Sequence, residues 1–235
     1  MKATQRLLLA STSPRRRQLL QQIGYEFDTA SPEVDETEYP DESPATYVQR
    51  LAIAKAHAGW QRYLPGAEPA CWWVIGSDTT VEIDGQILGK PENAQAAHAM
   101  LTKLAGREHR VYTGVCVLEC GETGIAPASS ISASSDGDIH ASTELESASH
   151  GLKEYTCVVG ASVKLADMTA QQIEKYWQTG EPADKAGSYG IQGIGSVFVE
   201  SVQGSYSAVV GLPLAETEAL LTQAGLDVWQ WRKNA

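Results

Sequence analysis

The chain has 235 residues, 29 of them acidic and 18 basic, for a net charge of −11. That length is enough for one large domain or two small lobes with a full core, and the acidity argues against broad nucleic-acid binding, which needs a basic surface. Four cysteines without a C-x2-C pair read as buried thiols rather than a zinc site; the absence of a leader-like opening or an apolar run of about 20 residues leads us to expect a cytoplasmic protein with no membrane partner.

Leu7–Ala10 reads as a short buried strand that turns into a helix over Pro14–Ile23, with Ser13 as N-cap, Pro14 in the first turn and Gly24 as the stop. Arg15, Arg16 and Arg17 crowd that first turn, where a helix dipole disfavours cations unless an anion is present. Strand end, hydroxyls and arginines together form a phosphate cradle; the alternative is an ordinary capped surface helix. Glu26–Glu42 carries no lysine or arginine. It reads either as a solvated loop or, beside a cationic site, as a source of hard oxygen ligands for a divalent metal, with Asp35 and Glu36 the best placed.

Ser43 and Pro44 open a second helix, which Gly59 is expected to close. Its apolar face, Val48, Leu51 and Ala52, continues to Lys55, a cation that must either snorkel or point into a charged cleft. Trp72–Gly76 is a buried strand expected to present Ser77-Asp78-Thr79 at its C-terminal end. A hairpin follows around Asp84-Gly85, a pair that suits a type I′ turn. With Ile83 facing Gln86, counting outward sets Lys90 opposite Thr79, beside Asp78. That pair is either a structural ion pair or an acid next to a phosphate-neutralising lysine.

Asn93 caps a third helix with Ala97, Met100, Leu101 and Leu104 inward and Gly106 at its end, and His109–Leu118 reads as a strand covered on both faces. His98 and His109 look structural. Gly121–Glu154, rich in small residues and acids, reads as an insertion or hairpin tip. Tyr155–Leu165 resumes an antiparallel strand. Thr169 caps a helix to Gln178 with Ile173, Tyr176 and Trp177 inward. Glu181–Gly195 contains glycines at 187, 190, 193 and 195, and its Asp184, Lys185 and Gln192 suit a base or a phosphate. Val197–Val202 and Ala208–Val210 read as short strands, Pro213–Ala224 as the last helix, and 226–235 as a tail.

These stretches together resemble the Maf family of nucleoside triphosphate pyrophosphatases. LLLASTSPRRRQLL at 7–20, VDE at 34–36, RLAIAKA at 50–56, IGSDTTVEIDGQILGKP at 75–91, EPADKAGSYGIQGIG at 181–195 and GSYSAVVGLPLAET at 204–217 carry the likeness. It covers nearly the whole chain as a single Maf-like domain, apart from 121–154 and the tail. The resemblance implies an α/β protein with a two-lobed mixed fold: an elongated central mixed sheet flanked by helices, with a cleft between the lobes. DKAGSYGIQG is similar to the branch acting on dTTP and UTP. The implied reaction is hydrolysis between the α- and β-phosphates with Mg2+ or Mn2+, releasing a monophosphate and pyrophosphate. Asp78 matches the family's proposed base; Arg15, Thr79 and Gln192 match its specificity positions; Ser11, Arg16, Glu36, Lys55 and Lys90 match its polar cleft positions. Asp78 and Glu36 are the metal-ligand candidates. The expected partner is a nucleoside triphosphate, with no nucleic acid and room for a homodimer. The competing class is a non-catalytic nucleotide-binding regulator of cell division.

Overall fold

The computed structural model describes residues 5–63, 71–120, 143–146 and 152–232. Eight strands form one mixed sheet in the order β2-β1-β3-β5-β7-β6, with β4 added to β3 and β8 added to β7. They are β1 Gln5–Ala10, β2 Asp28–Ala30, β3 Cys71–Ile83, β4 Gln86–Leu88, β5 Glu108–Cys120, β6 Thr143–Glu146, β7 Leu152–Leu165 and β8 Val199–Gln203. β1 runs parallel to β2 and β3, and every other pairing is antiparallel. The helices are α1 Pro14–Gln22, α2 Pro44–Tyr63, α3 Ala94–Leu104, α4 Ala170–Gln178, α5 Tyr206–Val210, α6 Leu214–Gln223 and α7 Val228–Trp231.

Local signals account for most helix starts. Ser13, Asn93 and Thr169 each accept a hydrogen bond from the N–H three residues on, and Thr169 with Gln172 forms a full capping box. Asp84 and Gly85 both have positive φ, 57° and 75°, as the type I′ turn requires, and Ile83 faces Gln86.

The feature that positions the site is a gap along one edge of β3. β1 pairs with β3 only as far as Ala10 opposite Gly76, and β4 begins pairing at Val81 opposite Leu88. Ser77–Thr80 therefore have β5 on one side and no strand on the other. Apolar cores lie to either side of this notch. Near β1, one core joins α1 and α6 to one sheet face and a second joins α2 to the other. Beyond it, a third core joins the hairpin, α3 and α4. These end cores are the two lobes, carried on continuous strands.

Several expectations are corrected. β3 does not end at Gly76, so Asp78 lies mid-strand, opposite Gly114. α2 does not stop at Gly59; a Cβ there would strike Ala10, so that glycine serves close packing of helix on strand. Ala208–Val210 are helical, because Ser205 caps α5 by accepting from the Ala208 N–H. β8 begins at Val199, with Val197 inside a 3-10 turn. β2 adds a parallel strand within the acidic segment. β7 starts at Leu152, and residues 143–146 pair with it as β6; the rest of the expected 121–154 insertion lies outside the described residues. In the tail, Arg232 donates to the Ile23 carbonyl and pairs with Glu218, so it packs on the body.

Candidate active site

Asp78 projects from the notch towards α2 and is 7 % exposed. α2 crosses the sheet at unusually close range there, because a Cβ on Gly76 would strike the backbone at Ala52 and Ala56, and one on Gly114 would strike that at Val48. Close approach lowers Lys55, 8 % exposed, onto Asp78 with Nζ 2.5 Å from Oδ1. The same ammonium lies 2.6 Å from Glu36 Oε1, and Lys90 Nζ lies 3.6 Å from Glu36 Oε2. Lys90 therefore reaches Glu36 rather than Asp78, since the hairpin ladder ends at Leu88 and a long side chain, not strand register, decides where the charge goes. Burial pulls the Glu36 carboxyl up, but the hydrogen bond and charge of Lys55, then of Lys90, outweigh it and leave it below the ordinary carboxylate value.

On the opposite face of the notch stands Arg16. Its Nε donates to the Gly211 carbonyl at 2.7 Å and its Nη2 to Thr79 Oγ1 at 3.1 Å. Thr113 donates to the Ala208 carbonyl, which leaves Thr79 to donate to Thr113 across 2.9 Å and to receive from Arg16. Ser77 also donates to the Gly211 carbonyl at 3.0 Å. The guanidinium is thus held at two points, and each of its acceptors is itself fixed by a further hydroxyl. Burial lowers its pKa and the charge of Asp78 partly restores it, so the cation and the acid sense one another across the notch. Arg15 adds its charge to Arg16 and lies within the field of Asp184. Ser11 closes the turn between β1 and α1 by accepting from the Ser13 N–H at 3.1 Å.

Two irregular segments border these groups. Residues 35–42 form a strap over the first half of α2. Arg50 grips Glu42 with Nε to Oε1 and Nη2 to Oε2, both 2.7 Å, donates to the Thr37 carbonyl at 3.0 Å, and stacks 4.0 Å over the Tyr39 ring. Tyr47 donates to the Glu36 carbonyl at 2.9 Å. Asp35 is exposed and accepts from the N–H and hydroxyl of Thr37, so its carboxylate serves the strap's own turn. On the Arg16 side, residues 181–198 fold as consecutive 3-10 turns. Tyr189 packs into the far core and donates to or accepts from His109 Nε2 at 2.7 Å, while Ile191 packs against the near core. This loop spans the notch, with exposed Gln192 next in line.

The structure therefore brings Asp78, Lys55, Glu36 and Lys90 into one chain of contacts, and Arg16 with Thr79 into another across the notch. Arg15 joins through its field alone. Among the described residues, Gln192 has no polar side-chain partner. Sequence reasoning missed Tyr47, Arg50, Gly211 and Glu181, which hold these groups in place. The available signals were the cation Arg50 inside RLAIAKA beside an acidic run, and the acid that opens the glycine-rich stretch.

Two carboxylates flanking one ammonium are a hard-oxygen pair, of the kind that takes a divalent cation together with phosphate oxygens and water. Among the described residues no group of three or more acids, histidines or cysteines forms a cage. No helix among them is long and apolar enough to cross a membrane.

The sequence profile of Maf-like proteins matches residues 6–224. A dTTP/UTP pyrophosphatase of Pseudoalteromonas atlantica is 47 % identical over 220 residues, covering 94 % of this chain and 97 % of that one. One of the same name from Vibrio cholerae is 45 % identical over 92 % of this chain and 96 % of its own. Another from Hahella chejuensis is 41 % identical over 95 % and 94 %.

Proposed function

Because the chain belongs to the Maf family, we propose that it hydrolyses the pyrimidine nucleoside triphosphates dTTP and UTP to the monophosphate and pyrophosphate. The observation that carries this reading is the notch, where Asp78 meets Lys55 and Glu36 on one face and the clamped Arg16 stands on the other. Phosphoryl-transfer catalysis consists mostly of positioning and electrostatic stabilisation. Arg15, Arg16, Lys55 and Lys90 supply positive charge where negative charge grows on the phosphates as the α–β bond breaks. Arg16 arrives already oriented, because Gly211 and Thr79 hold its guanidinium before any ligand does. Asp78, with its cation beside it, is the group placed to accept a proton from the attacking water. Gln192 offers one donor and one acceptor, which suits the imide edge of thymine or uracil.

Asp78 and Glu36 would hold a magnesium or manganese ion. When bound, such an ion supplies charge neutralisation on the polyphosphate. Lys55, now shared by both carboxylates, is the cation that would turn towards the phosphates.

The direct test is pyrophosphate release from dTTP, UTP, CTP and GTP with magnesium or manganese. Asp78→Asn should lower kcat by about 10²–10³ or more while the fold persists. Near-normal turnover in that variant would remove Asp78 from the chemistry. Binding of dTTP without any release of pyrophosphate by the wild type would turn the reading towards a nucleotide-sensing protein.

A further inference from the structure

We infer that Glu181 is the positioning residue for base selectivity: its carboxylate closes the backbone ring that presents Gln192. The inference rests on the base-reading role proposed for Gln192 and goes beyond it by naming what sets that side chain's place.

Glu181 opens the glycine-rich stretch, just past Thr179 and Gly180, which end α4. Its Oε1 accepts from Tyr176 Oη and from the Gly195 N–H, both at 2.8 Å, and its Oε2 accepts from the Ile194 N–H at 2.8 Å. Tyr176 Oη in turn accepts from the buried Gly190 N–H at 3.0 Å. One carboxylate–phenol pair therefore ties down both ends of the segment from Gly190 to Gly195, and Gln192 lies at its crown.

The glycines are fitted to this pair. Gly193 has φ 78°, and a Cβ on it would press on Glu181 Oε2; a Cβ on Gly195 would strike Tyr176 Oη and the Gly190 carbonyl. Burial raises the Glu181 carboxyl, but the amides of Gly195 and Ile194, then Tyr176 and Lys185, outweigh it and favour the charged form. Since the side chain of Gln192 has no polar partner among the described residues, only its backbone locates it, and Glu181 locates that backbone. A reading group shifted by about 1 Å loses a large part of its effect on rate.

Glu181→Gln replaces one accepting oxygen with an NH2 group that only donates, so one of the backbone N–H groups loses its partner. The test uses the full chain as wild type, Glu181→Gln, Gln192→Ala and the double variant, with kcat/KM for dTTP and for GTP from pyrophosphate release. Glu181→Gln should lower the dTTP-to-GTP ratio about ten-fold, mainly through KM for dTTP. In the Gln192→Ala background it should change the ratio no further, because a residue that acts through another has nothing left to act on.

An unchanged ratio in Glu181→Gln, an equal loss on both nucleotides, or a full further drop in the double variant would overturn the inference. If Gln192→Ala lowers the ratio and Glu181→Gln does not, only the inference fails. If Gln192→Ala itself leaves the ratio intact, the base-reading role fails and the inference with it. Should Glu181→Gln not fold, Tyr176→Phe removes the phenol link to Gly190 alone; it should lower the ratio in the same direction, and a wild-type ratio there would refute the ring as its source.

Discussion

The strap over residues 35–42 and the loop over 181–198 border the same notch from opposite faces, yet they are held by opposite chemistry. The strap is gripped from outside by a cation, Arg50 of α2, which donates to a carboxylate and a carbonyl. The loop is gripped from within by an anion, Glu181, which accepts from its own backbone amides. Their cargo differs too. The strap delivers Glu36 directly to Lys55 and Lys90, among the groups proposed above for phosphate and metal. The loop delivers Gln192, which touches none of these. On the proposed function the two irregular segments divide the work: one would serve turnover of any triphosphate, the other the choice among bases.

The largest effect that would test this division comes from Arg50→Ala. It removes a two-pronged ion pair, a carbonyl contact and a stacked ring together, so Glu36 loses its fixed place. We expect kcat/KM to fall by about ten-fold or more for dTTP and GTP alike, with the dTTP-to-GTP ratio unchanged. Stability should fall by about 1–3 kcal/mol, typical of hydrogen bonds to charged groups. Arg50→Lys should recover little, since an ammonium cannot reproduce the fork. A shift in the ratio as large as the loss in turnover would show that strap and loop are not separate.

Acid should separate the two segments next. His109 anchors the loop through Tyr189 and is 3 % exposed. Burial pushes its imidazole down from 6.5 to about 4. The unfolded chain therefore takes up a proton first as pH falls. Stability is full above about 6.5 and is lost between about 6.5 and 4, by about 3 kcal/mol at most. The strap's Glu36 and Glu42 lose stability in the same direction but in a lower window. Their folded values lie below the ordinary 4.5, so their contribution is present above that value and disappears only as pH falls through the lower folded ones. Between pH 6.5 and 5 the loop's anchor should thus weaken alone. Denaturant unfolding across that interval should slope downward in the wild type and be nearly flat in His109→Phe; equal slopes would clear His109 of the effect.

The contrast between strap and loop also explains what could be read from the sequence. Helix starts at Ser13, Asn93 and Thr169 and the turn at Asp84-Gly85 were legible because a side chain or a positive φ acts within three residues of its own position. β2 was not, since three residues gain a parallel partner only through β1. α5 was misread because two adjacent valines suggest a strand, and the cap at Ser205 decides otherwise. Gly59 resembled a helix stop when its real duty is contact with Ala10, distant in the chain. In the site, the charges of Arg16, Lys55 and Asp78 stood out because unpaired cations and buried acids are locally odd. The groups that hold Glu36 and Gln192 in place did not, because Tyr47 and Glu181 bind mainly backbone atoms, which no residue letter specifies, and Arg50 grips a carboxylate eight residues upstream that only the folded strap brings to it.

The smallest predicted effect probes whether the strap needs its second attachment. Tyr47 is 8 % exposed, and its hydroxyl donates to the Glu36 carbonyl. Burial and the nearby carboxylates of Asp78 and Glu36 push the phenol up, so it stays protonated and remains a donor throughout the working range. Tyr47→Phe keeps the ring in its packing against Val48 and Leu51 and deletes that one bond. The carbonyl it abandons belongs to an exposed residue, so water replaces the hydroxyl and the cost stays near 1 kcal/mol. With Arg50 still gripping Thr37 and Glu42, Glu36 gains only local freedom. We expect kcat/KM to fall by about two- to five-fold, equally for dTTP and GTP. A loss matching that of Arg50→Ala would mean that the hydroxyl meets the substrate itself, because a single replaceable hydrogen bond on the strap cannot account for the release of the whole segment.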